Sequence, residues 1–370
     1  MNRLPETLTL PPRTIIRPQA ADDFLTEAVS FGSNGIIVHG RSLGQTGRLQ
    51  SLQASASRTT RILPWPHPGA EPTLDELEKL LSVARRHHAQ WVAGIGGGST
   101  LDLAKACAGL LHADQPVQAY HDGAPLPAHG VPFIAAPTTA GAGSEATAVC
   151  VLTNTRTGVK KSFRSTTLLA RVVLLDPTLL ASCPRTVIAC AGMDAFTQAF
   201  ESFVSRGASA LTDSLALQAL RQISGSLEIF HQNPSDTQAA QAMLEGSYLA
   251  GIALSHARLG VVHGLAHPLG ARFHQPHGLV CAVCLPPAIT FNRPVCADKY
   301  AQLETLLNMP VEQRVLELMT RLDICNPLKG QHVTDLDAFV KEVLDSGSTA
   351  ANPRPVTPAD VRQILAAVCG

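Results

Sequence analysis

The chain has 370 residues, enough for two or three domains at roughly 100 to 200 residues each, so a buried core meets no size limit. Hydrophobic residues make up 45% and charged residues only 16%, against the ~25% charged residues of an ordinary domain, which excludes a disordered or coiled-coil chain and points to a large core or a subunit interface. The 29 basic and 29 acidic residues cancel, and no basic run exceeds Lys160-Lys161 or Arg85-Arg86. The electrostatic footprint of a nucleic-acid or membrane partner is missing, and a small-molecule partner is expected. Met1 to Pro12 holds polar residues and prolines where a signal peptide needs an apolar centre, and no uninterrupted apolar run approaches ~20 residues, so a soluble, cytoplasmic protein is expected. Nine cysteines, an odd number, suit a reducing compartment.

In chain order, Ile36-Ile37-Val38, Trp91-Val92-Ala93, Val131 to Ala136 and Val172 to Leu175 are short apolar runs bounded by turn residues, as strands of a buried parallel sheet should be. Between the first two pairs, Thr73 with Glu76 reads as a capping box ahead of the apolar stripe Leu74, Leu77, Leu80, Leu81 and Val83-Ala84. This is a βαβ pattern, hence α/β. After Asp176-Pro177 the strand-like runs stop. Amphipathic segments follow at Val187 to Ser205, Ala210 to Ser224, Thr237 to His256, Ala297 to Leu307 and Val311 to Leu322, and Thr334 with Asp337 and Thr357-Pro358 with Asp360 mark two later helix starts. The expected organisation is an α/β dinucleotide-binding domain over residues 1–180 and an all-helical metal and substrate domain over residues 181–370.

Three constellations carry chemistry. Gly94-Ile95-Gly96-Gly97-Gly98-Ser99 follows a strand and opens the helical run Leu101 to Leu111, a place where backbone approaches a phosphate and free N–H groups meet its charge. It matches neither GxGxxG nor the P-loop. A second turn, Pro137 to Glu145, also follows a strand and offers Thr138, Thr139 and Ser144, so two turns ringing one ligand favour a dinucleotide. His263, His267, His274 and His277 lie within 15 positions, with His263 and His267 four apart on one helical face, which favours a metal or catalytic site over packed or solvated histidines. Cys281 and Cys284 form a CxxC in an apolar stretch with no second pair, and are read as helix packing.

The stretches GIGGGSTLDLAKA (94–106), PTTAGAGSEAT (137–147), GMDAFTQAFESFVS (192–205) and HGLAHPLGARFHQPHG (263–278) together resemble the iron-containing (group III) alcohol dehydrogenases of the dehydroquinate-synthase-like superfamily, over essentially the whole chain. The resemblance implies that Gly96, Gly97, Gly98 and Ser99 hold a pyrophosphate, with Asp102, Thr138, Thr139, Ser144, Lys160 and Leu179 completing the cofactor site. It implies a divalent metal, Fe²⁺ or Zn²⁺, on Asp194, His263, His277 and the position four after the aspartate. That position, a histidine in the family, is Gln198, a neutral and weaker donor, so affinity for iron should fall and metal occupancy is in question. His267, beside His263 but outside the family's ligand set, is the expected catalytic proton relay.

In NAD-using relatives the run after the second strand resembles I-V-T-D; here it reads Val38-His39-Gly40-Arg41-Ser42. With glycine at the aspartate position, and Arg41 and Ser42 beside it, NADP(H) is expected over NAD(H). The expected activity is a metal-dependent alcohol dehydrogenase or aldehyde reductase acting on a small alcohol or aldehyde, and a homodimer or higher homo-oligomer is expected from the family and the low charge. The alternatives are a dinucleotide-binding sensor that lost its metal through Gln198, and a carbon–oxygen lyase of the same fold.

Overall fold

The computed structural model describes residues 4–56 and 60–370; residues 1–3 of the N-terminal stretch read above lie outside them. The chain divides into two compact units, one formed by Thr9–Thr139 with Gly143–Cys183, the other by Pro184–Gly370 with Ala140–Ala142 and the N-terminal segment through Leu8.

The first unit is built on a six-stranded parallel sheet of β1 (Thr14–Ile16), β2 (Asn34–His39), β3 (Arg61–Pro66), β4 (Trp91–Gly96), β5 (Phe133–Pro137) and β8 (Val172–Leu175), in the order β1-β8-β5-β4-β2-β3. Every residue of β4, β5 and β8 is buried, which is why these strands read as unbroken apolar runs. Helices α1 (Phe24–Val29), α2 (Arg41–Gln45), α3 (Arg48–Ser55), α4 (Leu74–Arg86), α5 (Gly98–Leu110) and α6 (Val117–His121) accompany the sheet. An antiparallel pair, β6 (Val149–Asn154) with β7 (Val159–Arg164), stands apart from it.

Several expectations need correction. The strand expected from Val131 begins at Phe133, because the Val131 amide donates to the Ala108 carbonyl at 3.0 Å instead of to a neighbouring strand. Thr73 caps α4 by accepting from the Glu76 amide at 3.1 Å, but the Glu76 carboxylate accepts from His67 Nδ1 at 2.9 Å, so the reciprocal half of the capping box is replaced by a hydrogen bond to a histidine. Strands β1 and β3 and the β6–β7 pair were not anticipated. Pro64 and Pro66 argue against a strand in general, yet β3 pairs only with β2, and an edge strand tolerates missing donors.

The second unit is helical: α7 (Arg185–Val204), α8 (Ala210–Gln232), α9 (Thr237–Ala257), α10 (Val261–Phe273), α11 (His277–Asn292), α12 (Ala297–Leu307), α13 (Val311–Arg321), α14 (Leu336–Asp345), α15 (Gly347–Ala350) and α16 (Pro358–Cys369). From Ile188 to Val204 every position of α7 except Cys190 and Ala191 is buried, because α8, α9 and α11 all pack on it. Thr357 and Asp360 form the full capping box expected at α16. At α14 the cap is Asp335, which accepts from the Ala338 amide at 3.1 Å, and not Thr334; the carboxylate one residue on takes the N-cap position. The segment His277–Val295, 19 residues of mean hydropathy 1.2, is long and apolar enough to cross a membrane, but 61% of it is buried in the structure, and α11 packs on α7, α10, α13 and α16 as a core helix.

Candidate active site

Three helices of the second unit bring their donors together. One turn of α7 carries Asp194 and Gln198, α10 carries His263 and His267 four apart, and α11 opens on His277 with Cys281 one turn later. Donor atoms of Asp194, His263, His277 and Cys281 all lie within 4.8 Å of one another. Asp194 Oδ1 stands 3.4 Å from His263 Nε2 and 3.9 Å from His277 Nε2, and Cys281 Sγ stands 3.9 Å and 3.6 Å from the same two nitrogens. The close approach of α11 to α7 depends on Gly278, where a Cβ would fall 2.1 Å from the Cys190 carbonyl oxygen.

The surrounding shell orients the donors. Glu201, one turn past Gln198 and buried, holds His263 Nδ1 at 2.6 Å and also accepts from the Val262 amide at 2.7 Å. With Nδ1 so engaged, Nε2 faces the cluster, the arrangement that fixes a ligating imidazole. Burial works to raise the Asp194 carboxyl, but the imidazoles of His263 and His277 outweigh it and hold the group below the usual carboxylate range. Burial likewise opposes charge on His263, yet Cys281, Asp194 and Glu201 around it raise its pKa well above the ordinary value. The Cys281 thiol is pushed up to about 12, chiefly by burial.

A metal fits this donor set. Asp194 is 6% exposed and its Oδ1 is buried without a hydrogen bond, the kind of orphaned acceptor a cation would satisfy. Gln198 is brought beside it: its Nε2 donates to the Ala142 carbonyl at 3.4 Å, its amide helps hold the Asp194 carboxylate, and its Oε1 is buried with no hydrogen bond. His267 is exposed at the rim, its ring stacked on that of His277 with centroids 4.7 Å apart and planes at 19°. His274 is exposed too, but it ends α10 in the left-handed conformation (φ 51°) and is absent from the donor cluster. Cys281, read above as packing, lies in the cluster; its spacing of four from His277 was the available signal.

The first unit carries the first glycine turn and both ends of the second, whose Ala140–Ala142 belongs to the helical unit. Strand β4 ends on Gly96, where a Cβ would come 2.6 Å from that of Thr100, and Gly97 caps α5 in extended conformation, leaving the amides of the first turn of α5 without intrahelical partners. The Thr138 amide donates to the Gly96 carbonyl at 2.9 Å, which ties the second turn to the first, and Thr139 Oγ1 lies 3.5 Å from where a Gly97 Cβ would stand. Asp102 and Ser144, expected at the cofactor, bond each other at 2.5 Å, and the second Asp102 oxygen accepts from the Val151 amide at 2.9 Å. Lys105, which sequence reasoning did not single out, donates to the carbonyls of Ser144, Thr147 and Val149 at 2.6, 2.8 and 2.7 Å. Ser99 lies in the first turn of α5, Gly40 caps α2, Arg41 and Ser42 open that helix, Leu179 is buried in a short 3₁₀ turn, and Lys160 pairs with Glu71.

A parallel α/β unit with a glycine turn at a strand-to-helix junction, followed by an all-helical unit bearing a carboxylate-and-imidazole cluster, defines the dehydroquinate-synthase-like class of fold. The description "Iron-containing alcohol dehydrogenase" matches residues 11–177 and "Fe-containing alcohol dehydrogenase family, C-terminal" matches residues 188–369. The chain is 33% identical over 373 residues to the probable alcohol dehydrogenase EutG of Salmonella typhimurium, covering 98% of this chain and 94% of that one. It is 38% identical over 315 residues to long-chain-alcohol dehydrogenase 1 of Geobacillus thermodenitrificans, covering 80% and 79%. Among solved structures, sulfoacetaldehyde reductase from Bifidobacterium kashiwanohense in complex with NAD⁺ superposes with a TM-score of 0.92 at 26% identity, covering 98% of both chains. The chain belongs to the iron-containing alcohol dehydrogenase family, and is an oxidoreductase of the general alcohol dehydrogenase and aldehyde reductase type.

Proposed function

We propose that this chain interconverts small primary alcohols and aldehydes with NADP(H) in a metal-dependent reaction. The observation that carries the reading is the buried Asp194 Oδ1, without a hydrogen bond, flanked by Nε2 of both His263 and His277. Asp194, His263 and His277 would hold a divalent metal, which when bound supplies Lewis-acid polarisation of a substrate oxygen. Glu201 fixes the ring of His263, and the backbone of Gly96 to Ser99 with the hydroxyls of Thr138 and Thr139 binds and orients the dinucleotide. His267, exposed and stacked on His277, carries the alcohol proton to and from solvent at its imidazole.

The test follows the absorbance of reduced nicotinamide with a panel of short aldehydes, before and after chelation and after adding back Zn²⁺ or Fe²⁺. Oxidation of the cofactor, lost on chelation and restored by metal, is the expected result. Cofactor binding without turnover would indicate a sensor, and substrate consumption without net cofactor oxidation would indicate a lyase.

Cofactor choice rests on the turn after β2. Gly40 has φ −74°, and a Cβ there would meet nothing nearer than 3.6 Å, so the backbone accepts a side chain at this position. Its carboxylate would repel a 2′-phosphate, whereas glycine imposes no such penalty, and the exposed Arg41 has no ion-pair partner among the described residues. A charge-assisted contact of roughly 1.5 to 3 kcal/mol corresponds to about a ten- to hundred-fold preference. The kcat/KM ratio of NADPH over NADH should therefore exceed one by that factor and fall in Gly40→Asp. A wild-type ratio below one, or one that aspartate leaves unmoved, overturns the preference.

A further inference from the structure

The departure at Gln198 and the unanticipated cysteine in the cluster bear on each other. We infer that Cys281 takes the place of the missing imidazole, as the fourth protein ligand of a zinc centre formed with Asp194, His263 and His277; the inference rests on the metal-dependent reading above. Helix α11 starts at His277, so a residue four positions on projects from the same face. Zinc bonds of about 2.0–2.2 Å to nitrogen or oxygen and 2.3 Å to sulfur give tetrahedral ligand-to-ligand edges of roughly 3.3–3.6 Å. The four separations found are 3.4 and 3.9 Å from Asp194 to the two imidazoles, and 3.6 and 3.9 Å from Cys281 to the same imidazoles. Two of these fall in that range and two exceed it by 0.3 Å, and no two of the four donors are more than 4.8 Å apart, within reach of one cation after a small adjustment.

Gln198 has other work. Its Nε2 donates to the Ala142 carbonyl and its amide supports the Asp194 carboxylate, so it positions a ligand. Its unpartnered Oε1 makes ligation by the amide the competing outcome. A thiolate in place of the third imidazole softens the donor set and shifts it from iron towards zinc. Zinc also accommodates five ligands, so four protein donors do not close the centre, and His277, with its side chain 29% exposed, marks the open edge. As the zinc–sulfur bond forms, the thiol proton leaves to solvent, and no oxidant or reductant is required.

The experiment loads the full chain, freed of metal by chelation, with Co²⁺ as a spectroscopic probe and then with Zn²⁺. Wild type should show the strong near-ultraviolet thiolate-to-cobalt charge-transfer band and, by X-ray absorption of the zinc form, a sulfur at about 2.3 Å. The band should vanish in Cys281→Ser and persist in Cys284→Ala and Gln198→Ala. Zinc affinity should fall by more than about 100-fold in Cys281→Ser, beyond the 10–100-fold loss typical of removing a group that only orients a ligand. Stoichiometric cobalt without the band in wild type, or a band that survives Cys281→Ser, overturns the assignment of Cys281 while leaving a metal enzyme. Failure of wild type to bind either metal overturns the metal-dependent reading itself, and the assignment with it. The wild-type spectra decide the matter even if Cys281→Ser fails to fold.

Discussion

Replacing His263 with alanine is expected to lower kcat/KM for aldehyde reduction by about 10³-fold or more and to leave the purified protein without stoichiometric metal. The size follows from the several kcal/mol that a Lewis-acidic metal contributes when charge develops on a substrate oxygen. His263 is the donor most tightly specified by its surroundings: its side chain is 3% exposed, Nδ1 is held at 2.6 Å by Glu201, and Nε2 is 3.4 Å from Asp194. Alanine removes a ligand and also strips Glu201 of its imidazole partner, so the damage is not confined to one bond. Measuring metal content and turnover on the same preparation separates the two effects. A metal-free His263→Ala protein with full activity would rule out the metal mechanism.

The residues that were legible in the sequence are those whose signal is local. Strands β4, β5 and β8 announce themselves because each is enclosed on both faces, as does the buried Ile36–Val38 stretch of β2, and the glycine turn after β4 because backbone sits where side chains cannot. Asp194, His263 and His277 carry motif spacing. What escaped depends on partners distant in the chain. Strand β3 contains prolines and is a strand only because it lies at a sheet edge beside β2. Strand β7 is mostly exposed, with Phe163 its single buried residue between exposed Ser162 and Arg164, so it has no apolar run to read. Cys281 looked like packing because the apolar composition of α11 is also what a core helix needs, and only the approach of α7 and α10 gives its sulfur two imidazole neighbours. Lys105 sits three residues after Asp102 in the otherwise apolar run Leu101 to Leu111, and a charge in such a run implies a buried partner without saying which.

That lysine sets the largest expected effect on stability. Lys105 is fully buried on α5, and its ammonium donates to three carbonyls of the second glycine turn and the strand that follows it. Desolvation lowers its pKa, with Asp102 opposing, and desolvation raises that of Asp102, with Lys105 opposing, so each charge offsets part of the other's burial cost. Lys105→Met keeps a chain of similar length but leaves Asp102 without its counter-ion and strands the carbonyls of Ser144, Thr147 and Val149. Stranding a buried carboxylate and three buried carbonyls in this way typically costs about 3–5 kcal/mol. For a unit of this size that corresponds to a fall in Tm of about 6 to 20 °C. Because the same carbonyls fix the turn that holds Ser144, binding of the reduced dinucleotide should weaken alongside, which a loss of helix stability elsewhere would not produce. Calorimetry paired with a fluorescence titration of NADPH measures both, and a variant that melts within about 2 °C of wild type with unchanged cofactor affinity would show that Lys105 does not anchor the turn.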